Sequence, residues 1–243
     1  MLRNSKCFKV LNTPARKKIR LFFFPYAGGN ASICLPFKDK LGDEIELVAV
    51  QLPGRSERMF EDAFTDMDAL VEALYKQIAP VLNEPFAFLG YSMGGVIAYA
   101  LTKKIEAFSQ YRPEFTIISA SSPLNVLNKS KKHQLDDEGL IDVLRANNAS
   151  PKEVLDSKEL MEMILPTVRA DYQLIETYHA VEGPLLETKL VLFNSEADME
   201  KETIGDWQKY FKNESKYVNF DDGHFFIHSE VNKMADEIRA LVS

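Results

Sequence analysis

One stretch of the sequence, residues 86–100, constrains the fold more than any other. It runs from the apolar segment Phe86–Leu89 through a Gly-x-Ser-x-Gly turn, Gly90–Gly94, into a segment of helical character. Such a turn reverses the chain sharply between a strand and a helix, because its glycines omit side chains that would clash. An ordinary glycine turn is the alternative, but the flanking residues favour the sharp elbow. Ser92 is therefore a candidate nucleophile, exposed above a sheet.

The composition of the chain limits the number of domains, the kinds of partner and the cellular location that we expect. The chain has 243 residues, of which 46% are hydrophobic, enough for the core of one large α/β domain. We expect a single domain over residues 1–243. The net charge of −7 argues against nucleic acid as a partner. The sequence has no apolar run of about 18 residues and no apolar leader at its start, so we expect a soluble, cytoplasmic protein with no membrane partner.

The two cysteines, Cys7 and Cys34, do not have the spacing of metal ligands. We therefore expect free thiols and no metal site. Cys34 is the other nucleophile to consider near the predicted site, but it lies in no motif. It is more typical of a packed thiol.

Strand-like and helix-like segments alternate along much of the chain. Such alternation predicts a mostly parallel sheet with helices on both faces and an active site at the carboxyl edge of its strands. The first 17 residues are polar and basic and are expected to form a loose arm. Thr65 is expected to cap the first of the long helices. Beyond the elbow strand, apolar runs and amphipathic spacing predict strands at 18–24, 46–51, 115–120, 188–193 and 216–220, and helices at 66–82, 93–108 and 230–241.

A helical insertion interrupts this alternation over about residues 123–184, which we call the lid segment. Helix-like pieces are predicted at 136–147, 157–165 and 166–179. Helices inserted above a site at the carboxyl edge would form a lid with an apolar lining. An ordinary packed helical subregion is the alternative.

A serine hydroxyl needs a histidine base, itself oriented by a carboxylate, before it can attack an ester. Asp198 and His224 each follow a predicted strand, and the chain order Ser92, Asp198, His224 is that of the α/β-hydrolases. Asp171, in the lid segment, is a weaker rival for the acid. His228 is more typical of a surface or core histidine.

The tetrahedral intermediate of such a reaction carries an oxyanion, which needs two preorganised backbone donors. The geometry of the elbow supplies the N–H of Met93. The second donor is expected from the glycine-containing loop Pro25–Asn30, which follows an early strand. We choose the N–H of Ala27, and we call this segment the Ala27 loop.

Several blocks together resemble the type II thioesterases of non-ribosomal peptide and polyketide synthesis, and their relative, the medium-chain thioesterase of animal fatty acid synthesis. The resemblance extends nearly from end to end. It implies an α/β-hydrolase fold, a triad of Ser92, Asp198 and His224, an oxyanion hole formed by Ala27 and Met93, and a mobile helical lid. The blocks are Phe24–Gly29, Leu52–Arg58, Gly90–Gly95, Leu165–Tyr172 and Asp222–Phe226.

Two features depart from the family pattern. The segment around Asp198 lacks the glycine and proline usual in the acid loop, and Asp222 replaces the glycine that commonly precedes Gly-His. A carboxylate close to His224 would raise the pKa of that histidine. We hypothesise that Asp222 does so.

The resemblance implies hydrolysis of acyl groups from the phosphopantetheine arm of acyl carrier or peptidyl carrier protein domains, through an acyl-enzyme, which removes aberrant or stalled acyl units. The arm belongs to the substrate, so we expect no cofactor. The alternatives are a carboxylesterase or lipase acting on free esters, and a catalytically idle hydrolase fold that binds carrier proteins.

Docking on a carrier protein is expected to need a local basic patch, because carrier proteins are usually acidic and this chain is acidic too. Lys129, Lys131 and Lys132, at the start of the lid segment, are the candidates. The alternative is a solvated cluster of loop charges. We expect a monomer.

Overall fold

A seven-stranded sheet organises the computed structural model, which describes Leu2, residues 5–147 and residues 152–243. Its order is β1-β3-β2-β4-β5-β6-β7, and only β1 runs antiparallel to its neighbour, β3. The prediction of a mostly parallel sheet in an α/β fold is confirmed. The strands are β1 Phe8–Val10, β2 Ile19–Phe24, β3 Ile45–Val50, β4 Phe86–Tyr91, β5 Phe115–Ser119, β6 Lys189–Ser195 and β7 Lys216–Phe220.

Helices cover both faces of the sheet and also form the lid segment. Within the described ranges, none of these helices combines the length and the apolar character needed to cross a membrane. The helices are α1 Met67–Ile78, α2 Met93–Phe108, α3 Leu124–Leu127, α4 Asp137–Ala146, α5 Lys152–Leu155, α6 Lys158–Glu176, α7 Lys201–Gly205, α8 Phe226–Ser229 and α9 Val231–Val242.

The core consists of two layers that the sheet separates, because successive side chains of a strand point to opposite faces. Phe22 and Phe88 belong to the apolar cluster that includes the buried faces of α1 and α2. Phe23 and Leu89, one residue further along their strands, belong to the cluster that includes the buried face of α9. The central strands are thus buried on both sides, which is why they are continuously apolar in sequence.

The order of the strands determines where the predicted active site lies. β3 and β4 lie on opposite sides of β2. The connection from β2 to β3 and the connection from β4 to β5 therefore leave in opposite directions, and this opens a crevice at the carboxyl ends of β2 and β4. The register pairs Phe24 at the end of β2 with Gly90 of the elbow. The Ala27 loop therefore begins beside the turn that carries Ser92.

The expectation of a loose N-terminal arm is wrong for Phe8–Val10, which form β1. The ring of Phe8 packs edge-on against Phe22, with 5.3 Å between ring centres, and this burial adds the short strand to the edge of the sheet.

Thr65 is not the cap of α1. Asp66 is, because its Oδ1 accepts a hydrogen bond from the N–H of Ala69 at 2.8 Å.

The two helices predicted at 157–165 and 166–179 are one helix, α6, which continues through Pro166. Pro166 and Glu162 both lie on the exposed face of α6, where water can bind the carbonyl of Glu162 that the proline leaves without a donor. Residues 148–151 of the predicted insertion and residues 1, 3 and 4 of the predicted arm lie outside the described residues.

Two glycines make the elbow sterically possible. A Cβ on Gly90 would lie 2.1 Å from the carbonyl oxygen of Gly94, and a Cβ on Gly94 would lie 2.2 Å from the carbonyl oxygen of Phe24. Both neighbours are backbone atoms that cannot move aside. The start of α2 therefore packs directly against the end of β2.

We predict that Gly94→Ala lowers the free energy of unfolding by about 3 kcal/mol or more, because the added methyl group forces the elbow away from β2. Urea denaturation measures the change. Gly205→Ala is the matched control, since a Cβ there meets no atom within 4 Å. Equal stability of the two variants would contradict the packing described for the elbow.

Candidate active site

Ser92 occupies a strained position between β4 and α2. Its backbone has φ +53° and ψ −116°, a conformation that side-chain-bearing residues rarely adopt. The N–H of Ser92 donates to the carbonyl of Ser119, at the end of the neighbouring strand β5, at 2.8 Å. The sheet and the elbow glycines together hold the serine in this conformation, with its side chain half-buried.

The three predicted triad residues come together at the carboxyl edge of the sheet. Nε2 of His224 lies 3.2 Å from Oγ of Ser92, and Nδ1 of His224 lies 2.9 Å from Oδ2 of Asp198. The residues follow β4, β6 and β7, so three parallel strands deliver them to one place. The arrangement has the order nucleophile, base, orienting acid that acyl transfer requires.

A backbone turn and two asparagine side chains hold the acid loop, which explains how it forms without glycine and proline. The N–H of Asp198 donates to the carbonyl of Ser195 at 3.0 Å and closes a turn. Nδ2 of Asn194 donates to the carbonyl of Met199 at 2.7 Å, and Oδ1 of Asn219 accepts from the N–H of Glu196 at 3.2 Å. The departure from the family pattern therefore leaves Asp198 in position.

Tyr91 holds the histidine loop, a role that the sequence analysis missed. Its hydroxyl donates to the carbonyl of His224 at 2.5 Å and accepts from the N–H of Ile227 at 3.3 Å. The residue before the nucleophile thus fixes the backbone of the base. The only sequence signal was a tyrosine in a strand that is otherwise apolar.

The carboxylate of Asp222 forms its hydrogen bonds with residues other than His224. Its carboxylate accepts from the hydroxyl of Ser229 at 2.6 Å and from the N–H of Gly223 at 2.7 Å, and these bonds hold its pKa below the usual range. No hydrogen bond or ion pair joins Asp222 to His224 in the described part of the chain. The hypothesis that Asp222 raises the pKa of His224 therefore has no contact to support it.

The two predicted oxyanion donors lie at the positions that the sequence indicated. Met93 begins α2, and Ala27 lies in the loop that follows β2. Among the hydrogen bonds of the described residues, neither N–H has an acceptor within the protein. The Ala27 loop is closed by a hydrogen bond from the N–H of Gly29 to the carbonyl of Tyr26 at 2.9 Å, and Gly28 adopts φ +75° within it.

A buried ion pair ties the Ala27 loop to the lid segment. The guanidinium of Arg55 donates to both carboxylate oxygens of Asp171, each at 2.7 Å, and both side chains are almost fully buried. Oδ2 of Asp171 also accepts from the N–H of Gly28 at 2.8 Å. Arg55 donates in addition to the carbonyl of Gly29 at 3.2 Å.

This arrangement assigns Asp171 a place that the sequence analysis did not foresee. As a rival for the triad acid it is excluded, because its carboxylate is fully engaged by Arg55 and Gly28, whereas Asp198 bonds His224. Since α6 carries Asp171, the lid segment directly fixes the backbone next to Ala27.

The lid segment covers a cavity of about 290 Å³ that both Ser92 and His224 line, which we call the Ser92 cavity. The lid segment supplies a mixed roof to this cavity, in which Val126, Leu127, Tyr172 and Ile175 are largely apolar and Lys132 and Asn147 are polar. A second cavity of about 510 Å³ lies between the Ala27 loop, residues 54–56 with Met59, and helices α4 and α6.

The three lysines proposed as a docking patch divide between two environments. Lys129 and Lys131 are exposed. Lys132 instead lines the Ser92 cavity.

Cys34 is a packed thiol, as the sequence analysis expected, and His228 is an exposed surface histidine. Both cysteines are free and buried, and burial raises the pKa of the Cys34 thiol well above its ordinary value. His228 packs on Phe225 with its Nε2 at 3.3 Å from the hydroxyl of Tyr26, and burial lowers its pKa.

We predict that Asp171→Leu lowers both stability and kcat, because leucine is of similar size but neither carries a charge nor accepts a hydrogen bond. Loss of the charge leaves Arg55 buried without its partner, at a cost of about 3–5 kcal/mol. Release of Gly28 displaces the neighbouring N–H of Ala27, which is expected to reduce kcat roughly 10- to 100-fold. Thermal unfolding and single-turnover kinetics measure the two effects.

The double variant Arg55→Met/Asp171→Leu separates the two effects. Apolar side chains of similar size are expected to restore much of the stability. They leave the N–H of Gly28 without an acceptor, so kcat stays low. Recovery of kcat together with stability would show that the ion pair matters only for folding.

The comparisons with known proteins agree with this geometry. The thioesterase domain family matches residues 19–242. The gramicidin S biosynthesis protein GrsT of Aneurinibacillus migulanus is 32% identical over 235 residues, covering 96% of this chain and 92% of the relative.

Solved structures are similar over almost the whole chain. The type II thioesterase BorB from the borrelidin biosynthetic cluster superposes with a TM-score of 0.88 at 25% identity, covering 98% of each chain. The RedJ thioesterase from the prodiginine pathway of Streptomyces coelicolor gives 0.87 at 26% identity, covering 95% of this chain and 88% of that one. The chain therefore belongs to the thioesterase domain family, and it is an acyl-thioester hydrolase of the type II thioesterases.

Proposed function

We propose that this chain hydrolyses acyl thioesters on the phosphopantetheine arm of carrier proteins, with Ser92 as nucleophile, His224 as general base and acid, and Asp198 as the orienting carboxylate. The observation that carries the proposal is the hydrogen-bonded chain from Ser92 through His224 to Asp198 at the wall of a covered cavity. Relatives such as GrsT and BorB, whose names place them in biosynthetic pathways, support the editing role.

Acylation begins when Oγ of Ser92 attacks the thioester carbonyl while Nε2 of His224 takes the hydroxyl proton. Asp198 accepts from Nδ1–H, which leaves Nε2 as the basic nitrogen and stabilises the imidazolium that forms. The developing oxyanion accepts hydrogen bonds from the N–H groups of Met93 and Ala27. These donors are fixed by the elbow and by the Ala27 loop, so they need little reorganisation.

The tetrahedral intermediate collapses with cleavage of the carbon–sulfur bond. The proton on Nε2 of His224 passes to the departing sulfur, and the thiol of the arm leaves. Water then attacks the acyl-Ser92 ester, with His224 again taking a proton, and the second collapse returns the proton to Oγ and releases the carboxylic acid.

The Ser92 cavity limits what acyl group is accepted without movement of the lid segment. Its volume of about 290 Å³ holds on the order of ten non-hydrogen atoms, at about 30 Å³ for a group the size of water. A short acyl unit fits this space. Longer chains would extend beyond this cavity or displace the lid segment.

We predict that Ser92→Ala reduces hydrolysis of an acetyl-loaded carrier protein about 10⁴-fold or more, and that Asp198→Asn reduces it about 10³- to 10⁴-fold. Asp222→Asn is the matched control, because its carboxylate is exposed and bonds only Ser229 and Gly223 among the described contacts. Rates are measured by release of the free carrier thiol.

A comparison of substrates distinguishes the alternatives. We expect a higher kcat/KM for the acetyl-loaded carrier protein than for p-nitrophenyl acetate. The reverse order would indicate a free-ester hydrolase. Absence of labelling by a fluorophosphonate, in protein that binds the carrier, would indicate a catalytically idle binding protein.

Carrier docking is proposed at Lys129 and Lys131, which are exposed where the lid segment begins. We predict that Lys129→Glu/Lys131→Glu raises KM for the carrier-bound thioester about three- to tenfold and leaves KM for the free pantetheine thioester unchanged. Lys38→Glu/Lys189→Glu changes the net charge equally at exposed positions elsewhere and serves as the control. Equal KM values for both double variants would exclude this docking site.

A further inference from the structure

Tyr26 lies directly before Ala27, the proposed oxyanion donor, and the Ala27 loop folds back onto the ring of Tyr26. The carbonyl of Tyr26 accepts from the N–H of Gly29 at 2.9 Å. A Cβ on Gly29 would lie 3.1 Å from Cδ2 and from Cε2 of Tyr26, so the ring packs closely against the backbone of its own loop. The orientation of the ring and the conformation of the loop are therefore linked.

The same ring packs against the loop that follows β7, which carries His224. The centre of the Tyr26 ring lies 5.0 Å from that of Phe225, at an interplanar angle of 80°. The Phe225 ring in turn lies 5.0 Å from the imidazole of His224, at 88°. Tyr26 also lies 6.2 Å from the ring of Tyr91, whose hydroxyl donates to the carbonyl of His224. Edge-to-face contacts of this kind depend on orientation, so Tyr26 restrains both aromatic side chains that contact the base.

The sheet itself does not join these two loops. The Ala27 loop follows β2 and the loop with His224 follows β7, and β4, β5 and β6 lie between those two strands. In the described sheet, no ladder of hydrogen bonds between β2 and β7 fixes the distance from the oxyanion donor to the base. The ring of Tyr26 packs directly between the two loops.

The hydroxyl of Tyr26 faces His228 rather than the reacting groups. It lies 3.3 Å from Nε2 of His228, and no hydrogen bond in the described part of the chain joins it to Ser92 or His224. Burial raises the pKa of Tyr26, and partial burial lowers the pKa of His228, so both side chains are uncharged at pH 7. Tyr26 therefore acts on the base through its position rather than through a charge or a proton.

We propose that Tyr26 is a positioning residue that sets the distance between the N–H of Ala27 and the imidazole of His224. This inference rests on the proposed function, in which both groups act on one tetrahedral intermediate: Ala27 binds its oxygen while His224 moves the proton. An error of about 1 Å in such an arrangement costs on the order of 10²-fold in rate. Loss of the ring lets the two loops move independently, so the reaction slows, whereas binding of the ground-state substrate changes little.

The test replaces Tyr26 and follows the hydrolysis of acetyl-pantetheine. We expect Tyr26→Leu to lower kcat about 10- to 100-fold and to change KM by about twofold or less. Tyr26→Phe keeps the ring and loses only the contact with His228, so its kcat is expected to stay within about threefold of the wild-type value. Tyr111→Leu is the control, because Tyr111 is 38% exposed and packs against none of these rings among the described aromatic contacts. A loss of kcat in Tyr26→Phe as large as that in Tyr26→Leu would overturn the proposal, since it would assign the effect to the hydroxyl.

Two competitive inhibitors separate a loss of oxyanion geometry from a general loss of structure. S-(3,3,3-trifluoro-2-oxopropyl)pantetheine carries an electrophilic ketone: Oγ of Ser92 adds to its carbonyl carbon, the hydroxyl proton passes to His224, and the new oxyanion accepts from the N–H groups of Ala27 and Met93. S-propyl-pantetheine has no carbonyl and reports ground-state binding alone. Tyr26→Leu is expected to raise the inhibition constant of the ketone by the factor by which it lowers kcat/KM, and to leave that of the thioether unchanged. Equal increases for both inhibitors would overturn the proposal.

Phe225→Leu breaks the same contact from the other side and keeps the test available if Tyr26→Leu does not fold, which circular dichroism verifies. Because the two rings are expected to act together, Tyr26→Leu/Phe225→Leu should lower kcat no further than the more damaging of the single variants. Additive losses would show that the rings act independently and would overturn the proposal.

Failure of this inference and failure of the proposed function give different results. Wild-type enzyme that hydrolyses acetyl-pantetheine no faster than Tyr26→Leu does would refute the role of Tyr26 and leave the proposed function intact. Wild-type enzyme that hydrolyses neither acetyl-pantetheine nor acetyl-loaded carrier protein would refute the proposed function itself.

Discussion

The contact between the elbow and the end of β2 is the constraint on which the rest of the site depends. Gly94 lies so close to the carbonyl of Phe24 that no side chain fits between them. This contact sets the nucleophile and the Ala27 loop side by side, because the loop leaves β2 only one residue after Phe24. The strained backbone of Ser92 is the cost of that arrangement, and the surrounding parallel strands hold it in place.

The buried ion pair between Arg55 and Asp171 links the sheet to the lid segment. A buried ion pair is a weak source of net stability, because both charges lose their hydration, but loss of one partner is costly. Its value here lies in geometry: the same carboxylate that accepts from Arg55 also accepts from the N–H of Gly28. A displacement of α6 would therefore shift the backbone beside Ala27, a proposed oxyanion donor, through one side chain.

Local chemistry explains what the sequence predicted and what it missed. The elbow is encoded within five residues, and Asp198 and His224 each follow a recognisable strand, so the triad could be predicted without knowledge of long-range contacts. Arg55 and Asp171 are 116 residues apart, and nothing in either local sequence indicates the pairing. β1 was missed because three residues are too few to show alternation, and α6 was divided because a proline ordinarily ends a helix unless the freed carbonyl faces water.

The sheet and the lid segment contribute different parts of the candidate site. The side chains proposed to transfer protons come from the loops after β4, β6 and β7, whose positions the sheet fixes. The roof of the Ser92 cavity, by contrast, includes Lys132 and Tyr172, which the lid segment supplies. Substitutions in that roof should change which acyl group is accepted, while the hydrogen bonds that join Ser92, His224 and Asp198 stay in place. Asp171 is the exception, because it belongs to the lid segment yet holds the backbone beside Ala27. The position of the lid segment is therefore coupled to that of the proposed oxyanion donor Ala27.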